Sequence, residues 1–142
     1  MRVLRVLFVC VHNAGRSQMA EAFARHLAAD AVEVASAGTL PGGTLDPTVV
    51  EAMAERHIDI SRARPKVIEQ SMVDVADRVY TMGCAIDEAC PAVFIPSEDW
   101  GLDDPAGQPI ERVREIRDQV EAKVRELLHA LGVPVRASLS GG

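Results

Sequence analysis

Val3 to Val9 is a near-continuous apolar run, and it passes directly into a polar loop, Cys10 to Ser17. An apolar run without alternation suits a strand buried on both faces, as in parallel sheets covered by helices. Beyond the loop, Met19, Ala20, Ala22, Phe23, His26 and Leu27 recur at helical spacing, which marks one face of an amphipathic helix. The chain therefore opens with a strand, a turn and a helix, and that order commits it to an α/β architecture.

The remaining segments continue the alternation. Val32 to Ala37 reads as a second strand closed by Gly38, and Asp46-Pro47 supplies an N-cap and a first-turn proline for a helix through about Arg56. Val67 and Ile68 fit a short extended segment, and Ser71-Met72-Val73-Asp74 has the form of a capping box. Arg78 to Met82 and Ala92 to Ile95 are the third and fourth strand candidates, and Ile110 to Leu131 is a long helix stopped by Gly132. A small four-stranded parallel sheet with helices on both faces is expected. Right-handed crossovers place the C-terminal strand ends, where ligands bind, along one edge. Cys10 ends the first strand and Cys84 follows the third, so both are expected at that edge.

The chain has 142 residues, enough for one domain with a sizeable core. That domain is expected to span residues 1–134, with the Ser/Gly-containing segment 135–142 as a flexible tail. A net charge of -6 and the lack of any Lys/Arg-rich run argue against nucleic acid as a partner. No apolar run reaches the length of a membrane span, and Met1 to Val11 lacks a signal-peptide cleavage site, so a cytoplasmic protein is expected. With no apolar helix face left over, a monomer is expected.

The loop Cys10-Val11-His12-Asn13-Ala14-Gly15-Arg16-Ser17 carries the chemistry. A cysteine and an arginine with five residues between them, placed between a buried strand and a helix start, can wrap a tetrahedral oxyanion. Loop amides form a concave nest, and the helix N-terminus adds positive potential. Arg16 can hold two anion oxygens in a fork. The same field favours the thiolate that a nucleophile requires. Gly15 is expected to adopt unusual backbone angles, Asn13 to brace the loop through its own backbone, and Ser17 to donate to the Cys10 sulfur. A plain turn with an inert buried cysteine is the alternative.

Asp103-Asp104-Pro105 precedes the last helix, and proline biases Asp104 toward an extended conformation that would project its carboxyl. Such an acid can protonate a leaving oxygen, but a solvated turn aspartate has the same sequence. Cys84 and Cys90 admit three readings: inert, a zinc half-site, or a redox pair. Zinc lacks a second Cys/His pair at ligand spacing. A disulfide would require the intervening segment to loop out or unwind. His12 is expected to shape the loop or lie exposed, while His26, His57 and His129 read as helix surface or packing residues. Trp100 is expected under the Asp104 loop, and the charges of Glu111 to Arg117 on a solvated helix face.

Cys10 to Phe23, CVHNAGRSQMAEAF, resembles the signature of the low-molecular-weight tyrosine phosphatase superfamily, and within it the arsenate reductases. The resemblance extends through Ser36-Ala37-Gly38, Thr81-Met82-Gly83-Cys84 and Trp100 to Gly107. The phosphatases usually carry proline where this chain has Gln18, and aromatic residues after their Asp-Pro; here Ala106-Gly107 follows. Both differences point to the reductase branch. The resemblance implies arsenate as substrate, Cys10 as nucleophile, Asp104 as general acid, and residues 11–16 with Arg16 as the anion cradle. It also implies that Cys84 and Cys90 relay the oxidation outward to thioredoxin, with no bound cofactor. Two rivals keep the same loop: a tyrosine phosphatase that leaves both cysteines idle, and a transferase handing arsenic to a small thiol such as mycothiol or glutathione. A third, a non-catalytic anion sensor, would leave Cys10 unreactive. Some relatives hold potassium through groups matching Asn13, Glu21 and Ser36 plus an acid near Lys66; the Lys66 ammonium is expected to take that cation's place, so no metal is expected.

Overall fold

The computed structural model describes residues 3–28, 31–39, 42–82 and 98–135. In chain order the elements are β1 (Leu4–Cys10), α1 (Arg16–Ala28), β2 (Val32–Gly38), α2 (Pro47–Ala54), α3 (Gln70–Val75), β3 (Arg78–Thr81), β4 (Glu98–Asp99) and α4 (Ile110–Ala130). The sheet has the order β2-β1-β3-β4, with every described pairing parallel. β1 lies between two strands, which is why its apolar run is unbroken. The expected strand at 92–95 lies outside the described residues. The fourth strand within them is β4, which pairs Tyr80 with Glu98 and Thr81 with Asp99.

Alternate residues of β1 serve two cores. Val6, Phe8 and Cys10 face a large cluster with Met19, Phe23 and Leu27 of α1 and Val113, Ile116, Val120 and Val124 of α4. Leu7 and Val9 face the other side, where Val79 and the α3 residues Met72 and Val73 cover them. Phe8 is fully buried and touches both Tyr80 and Trp100, with ring centroids 6.0 and 5.6 Å away. Trp100 thus packs on the sheet aromatics.

The helix boundaries follow local chemistry with two exceptions. Asp46 caps α2, its Oδ1 accepting from the Thr48 N–H at 3.0 Å, with Pro47 in the first turn. α4 ends where Gly132 adopts φ +72°, and the Val133 N–H reaches back to the Leu128 carbonyl at 2.9 Å. The capping box expected at Ser71 is absent: Glu69 precedes α3, makes no side-chain cap bond, and Ser71 lies inside the helix. His57 is not helical; it sits just past α2 with φ +61°, exposed.

The α4 charges are also not all solvated. Arg112 and Glu115 form the expected surface pair at 2.8 Å. Arg117, however, is only 8% exposed and joins α4 to the end of α2, bonding the Ala52 carbonyl at 3.0 Å and Glu55 at 2.8 Å. Glu121, equally buried, accepts from Arg56 at 2.7 Å and Arg125 at 2.9 Å. Paired in this way, charges can be buried; single ones cannot. Val133 and Val135 pack against the main core, so that packing reaches the first residue of the segment expected to be a tail. Among the described residues no helix is long and apolar enough to cross a membrane.

Candidate functional site

The loop from Cys10 to Arg16 crosses the C-terminal end of the sheet, between β1 and α1. It passes directly over Gly38: a Cβ there would lie 2.5 Å from the Val11 carbonyl oxygen and 3.0 Å from the Asn13 nitrogen. Any side chain at position 38 would push the loop off the sheet. Backbone bonds then pin the loop from outside, with Gly42 N–H donating to His12 O at 3.0 Å and Asp46 N–H to Ala14 O at 3.1 Å. The residue in the left-handed region is Asn13, at φ +50°. Gly15 was expected to supply that freedom. It is required instead for proximity, because a Cβ there would sit 2.9 Å from the Pro105 Cγ.

Cys10 is 2% exposed, and its Sγ lies 2.8 Å from the Ser17 Oγ and 3.2 Å from the Asn13 N–H. Both contacts suit a thiolate, which accepts hydrogen bonds and gains from donors that stabilise its charge. The Asn13 side chain does not bond its own backbone as expected. Its Nδ2 donates to Ser17 Oγ at 2.7 Å, and its Oδ1 accepts from Gln18 Nε2 at 3.0 Å and from the Lys66 N–H at 2.8 Å.

Arg16 is 7% exposed and is aimed by two carbonyls: its Nη1 donates to Met82 O at 3.1 Å and to Leu102 O at 2.9 Å. These carbonyls lie just after β3 and on the loop that carries Asp104, so Arg16 ties three segments together at the pocket. Asp104 lies 3.9 Å from Arg16 Nη2 and is half-exposed. Its Oδ1 accepts from the Ala106 N–H at 3.0 Å, which leaves the carboxyl at the pocket mouth. A narrow pocket of about 40 Å³ is lined by Cys10, His12, Ala14, Gly15, Arg16, Asp46, Asp104, Pro105 and Ala106. The side chains of Val11 and Asn13 are buried and do not line this pocket.

The roles of Gly38 and Gln18 rest on contacts with Val11, Asn13 and Arg64 that residue type alone does not signal. The carbonyls of Met82 and Leu102 are backbone groups, invisible to residue type. Asp46 was read as a cap, which it is, but it also lines the pocket.

Beside the loop, the Lys66 Nζ lies 3.7 Å from Glu21 Oε1 and 3.5 Å from Ser36 Oγ, and Ser36 donates to Glu21. The ammonium therefore stands among the groups that the resemblance associates with a cation. Among the described residues there is no group of three or more His, Cys, Asp or Glu that could hold a metal. Cys84 and Cys90 lie outside the described residues.

The chain is 44% identical over 125 residues to a protein of Halobacterium salinarum provisionally named an arsenate reductase, covering 84% of this chain and 87% of that one. A solved arsenate reductase in its phosphate-binding state superposes with a TM-score of 0.79 at 38% identity, covering 90% of this chain and 98% of the other. The thioredoxin-dependent arsenate reductase of Corynebacterium glutamicum superposes with a TM-score of 0.74 at 39% identity, covering 92% of this chain and 62% of that longer one. Residues 5–137 match the profile of the low molecular weight phosphotyrosine protein phosphatases, and the chain belongs to that family.

Proposed function

We propose that the chain reduces arsenate to arsenite, with Cys10 as nucleophile, Arg16 and the loop as the oxyanion cradle, and Asp104 as general acid. The observation that carries the cradle is the convergence of Cys10, Arg16 and Asp104 on one narrow pocket. Arsenate and phosphate share shape and charge, so the pocket serves either anion. What favours arsenate is the similarity over most of the chain to arsenate reductases, together with Cys84 and Cys90.

In this reading the Cys10 thiolate attacks arsenic and forms an S–As bond, while Asp104 protonates the departing oxygen, which leaves as water. The Cys84 thiolate then attacks the Cys10 sulfur. A Cys10–Cys84 disulfide forms, the S–As electron pair stays on arsenic, and arsenite leaves. Cys90 attacks Cys84 in turn, releasing the Cys10 thiolate and leaving a Cys84–Cys90 disulfide. The dithiol of thioredoxin reduces it, becoming a disulfide itself; thioredoxin is the proposed partner because the Corynebacterium relative depends on it.

The test is a single turnover without any reductant. Arsenate should yield about one arsenite per chain, and free thiols should fall from the three of the sequence to one, since a disulfide consumes two. A phosphatase, the second reading, would release phosphate from an aryl phosphate with all three thiols intact; the family profile supports that activity as a companion. A small-thiol transferase would release arsenite only once mycothiol or glutathione was added.

A further inference from the structure

We infer that Gln18 is a positioning residue for the Cys10 nucleophile: it sets the orientation of the Asn13 amide and, through it, the atom to which the Ser17 hydroxyl donates. This rests on Cys10 being the reacting thiol.

Gln18 occupies the first turn of α1 and is 3% exposed. Its Nε2 lies 3.0 Å from Asn13 Oδ1 and 3.0 Å from the Arg64 carbonyl. A primary amide has two N–H donors, and these acceptors take both. The second contact also holds the segment whose Lys66 N–H donates to the same Asn13 oxygen at 2.8 Å. Two donors therefore converge on one terminal atom of Asn13, and that atom must be the oxygen. An asparagine amide can reverse about its last torsion, exchanging O and N. Here the reversed form would set an N–H₂ against two donors, both in a buried place where unmatched polar groups are costly.

The consequence reaches the sulfur. With Oδ1 held, Asn13 Nδ2 faces Ser17 Oγ at 2.7 Å and donates to it. The hydroxyl keeps its own proton to give, and the Cys10 Sγ at 2.8 Å is the acceptor. Were the amide reversed, Ser17 would donate to Asn13 and the thiolate would lose that bond. Gln18 touches neither sulfur nor anion pocket; its influence is transmitted along a chain of three hydrogen bonds.

Two variants test this, Gln18→Met, which removes both donors at similar size, and Gln18→Glu, whose carboxylate invites the reversed amide. Cys10 alkylation by iodoacetamide is followed against pH. The inference predicts that both profiles move to higher pH and that the neutral rate of Gln18→Met falls about fivefold, the scale of one weakened hydrogen bond. Gln18→Glu should be slower still. In a Ser17→Ala background, Gln18→Met should change the rate by less than about twofold, because the path runs through Ser17. Protection of Cys10 by arsenate should persist in Gln18→Met, showing the cradle still formed. A native profile in both variants, or an equal loss with and without Ser17, overturns the inference. If both variants unfold, the native protein decides: magnetic resonance cross-peaks should link the Asn13 side-chain N–H₂ to the Ser17 β-protons, and cross-peaks to the Lys66 amide proton in their place would contradict it. A native Cys10 no more reactive than a free thiol removes the nucleophile and this inference together. A reactive Cys10 indifferent to Gln18 removes this inference alone.

Discussion

Pro105 rests directly on Gly15, so that a Cβ added at position 15 would lie 2.9 Å from the proline Cγ. The two loops that bring Cys10 and Asp104 to the pocket therefore meet at a residue with no side chain to hold them apart. Gly15→Ala should cost about 1–3 kcal/mol of strain, taken up by displacing the Asp104 loop. Turnover should fall about tenfold or more, and Gly15→Ala with Pro105→Ala should recover part of it. Steady-state arsenate reduction by the single and double variants checks this; a double variant no better than Gly15→Ala would show that the contact does not position the acid.

Asp104 should be needed for departure of the oxygen and not for reactivity of the thiol. Asparagine can still accept from the Ala106 N–H, so the turn should survive in Asp104→Asn. Turnover should drop between about a hundredfold and ten-thousandfold, the usual range for a lost general acid. Cys10 alkylation should change little. A variant with near-native turnover would return Asp104 to the status of a solvated turn residue.

Lys66 already brings a cation to Glu21 and Ser36. Activity should therefore be the same in potassium and sodium chloride at equal ionic strength. A sharp, potassium-specific rise would show that the lysine does not fill that role.

The α2–α4 junction gives a pH signature. The Glu55 carboxylate is held below its ordinary value, first by its hydrogen bonds to Arg114, and also by Arg117. A group whose folded value is depressed adds stability above its unfolded value and loses it as pH falls through the folded one. Thermal denaturation should thus show Glu55→Gln melting below the native protein at neutral pH, with the two converging as pH drops below the usual glutamate range. A gap that stays constant down to acid pH would mean the pairing contributes nothing.

The legible parts of this molecule were those written in local pattern. β1 announced itself by an unbroken apolar run, α2 by Asp46-Pro47, the end of α4 by Gly132, and the turn between β1 and α1 by the polar loop from Cys10 to Arg16. What stayed hidden depends on contacts between distant positions. The role of Gly15 was mistaken because close approach by Pro105, some ninety positions on, leaves no trace near residue 15. Arg117 looked solvated because its partners, Ala52 and Glu55, belong to another helix. Ser71 carried the letters of a capping box, yet α3 begins ahead of it at Gln70, and Glu69 before it makes no side-chain cap bond.

Arsenite production with thioredoxin, thioredoxin reductase and NADPH, compared between the native protein and Cys10→Ser, Cys84→Ser and Cys90→Ser, decides whether the three cysteines form one relay. The native protein should sustain turnover, and all three variants should lose it. Normal turnover by Cys90→Ser would break the last step of the relay. A native protein that thioredoxin cannot drive, but whose Cys10 still hydrolyses an aryl phosphate, would contradict the redox assignment while leaving the anion loop intact.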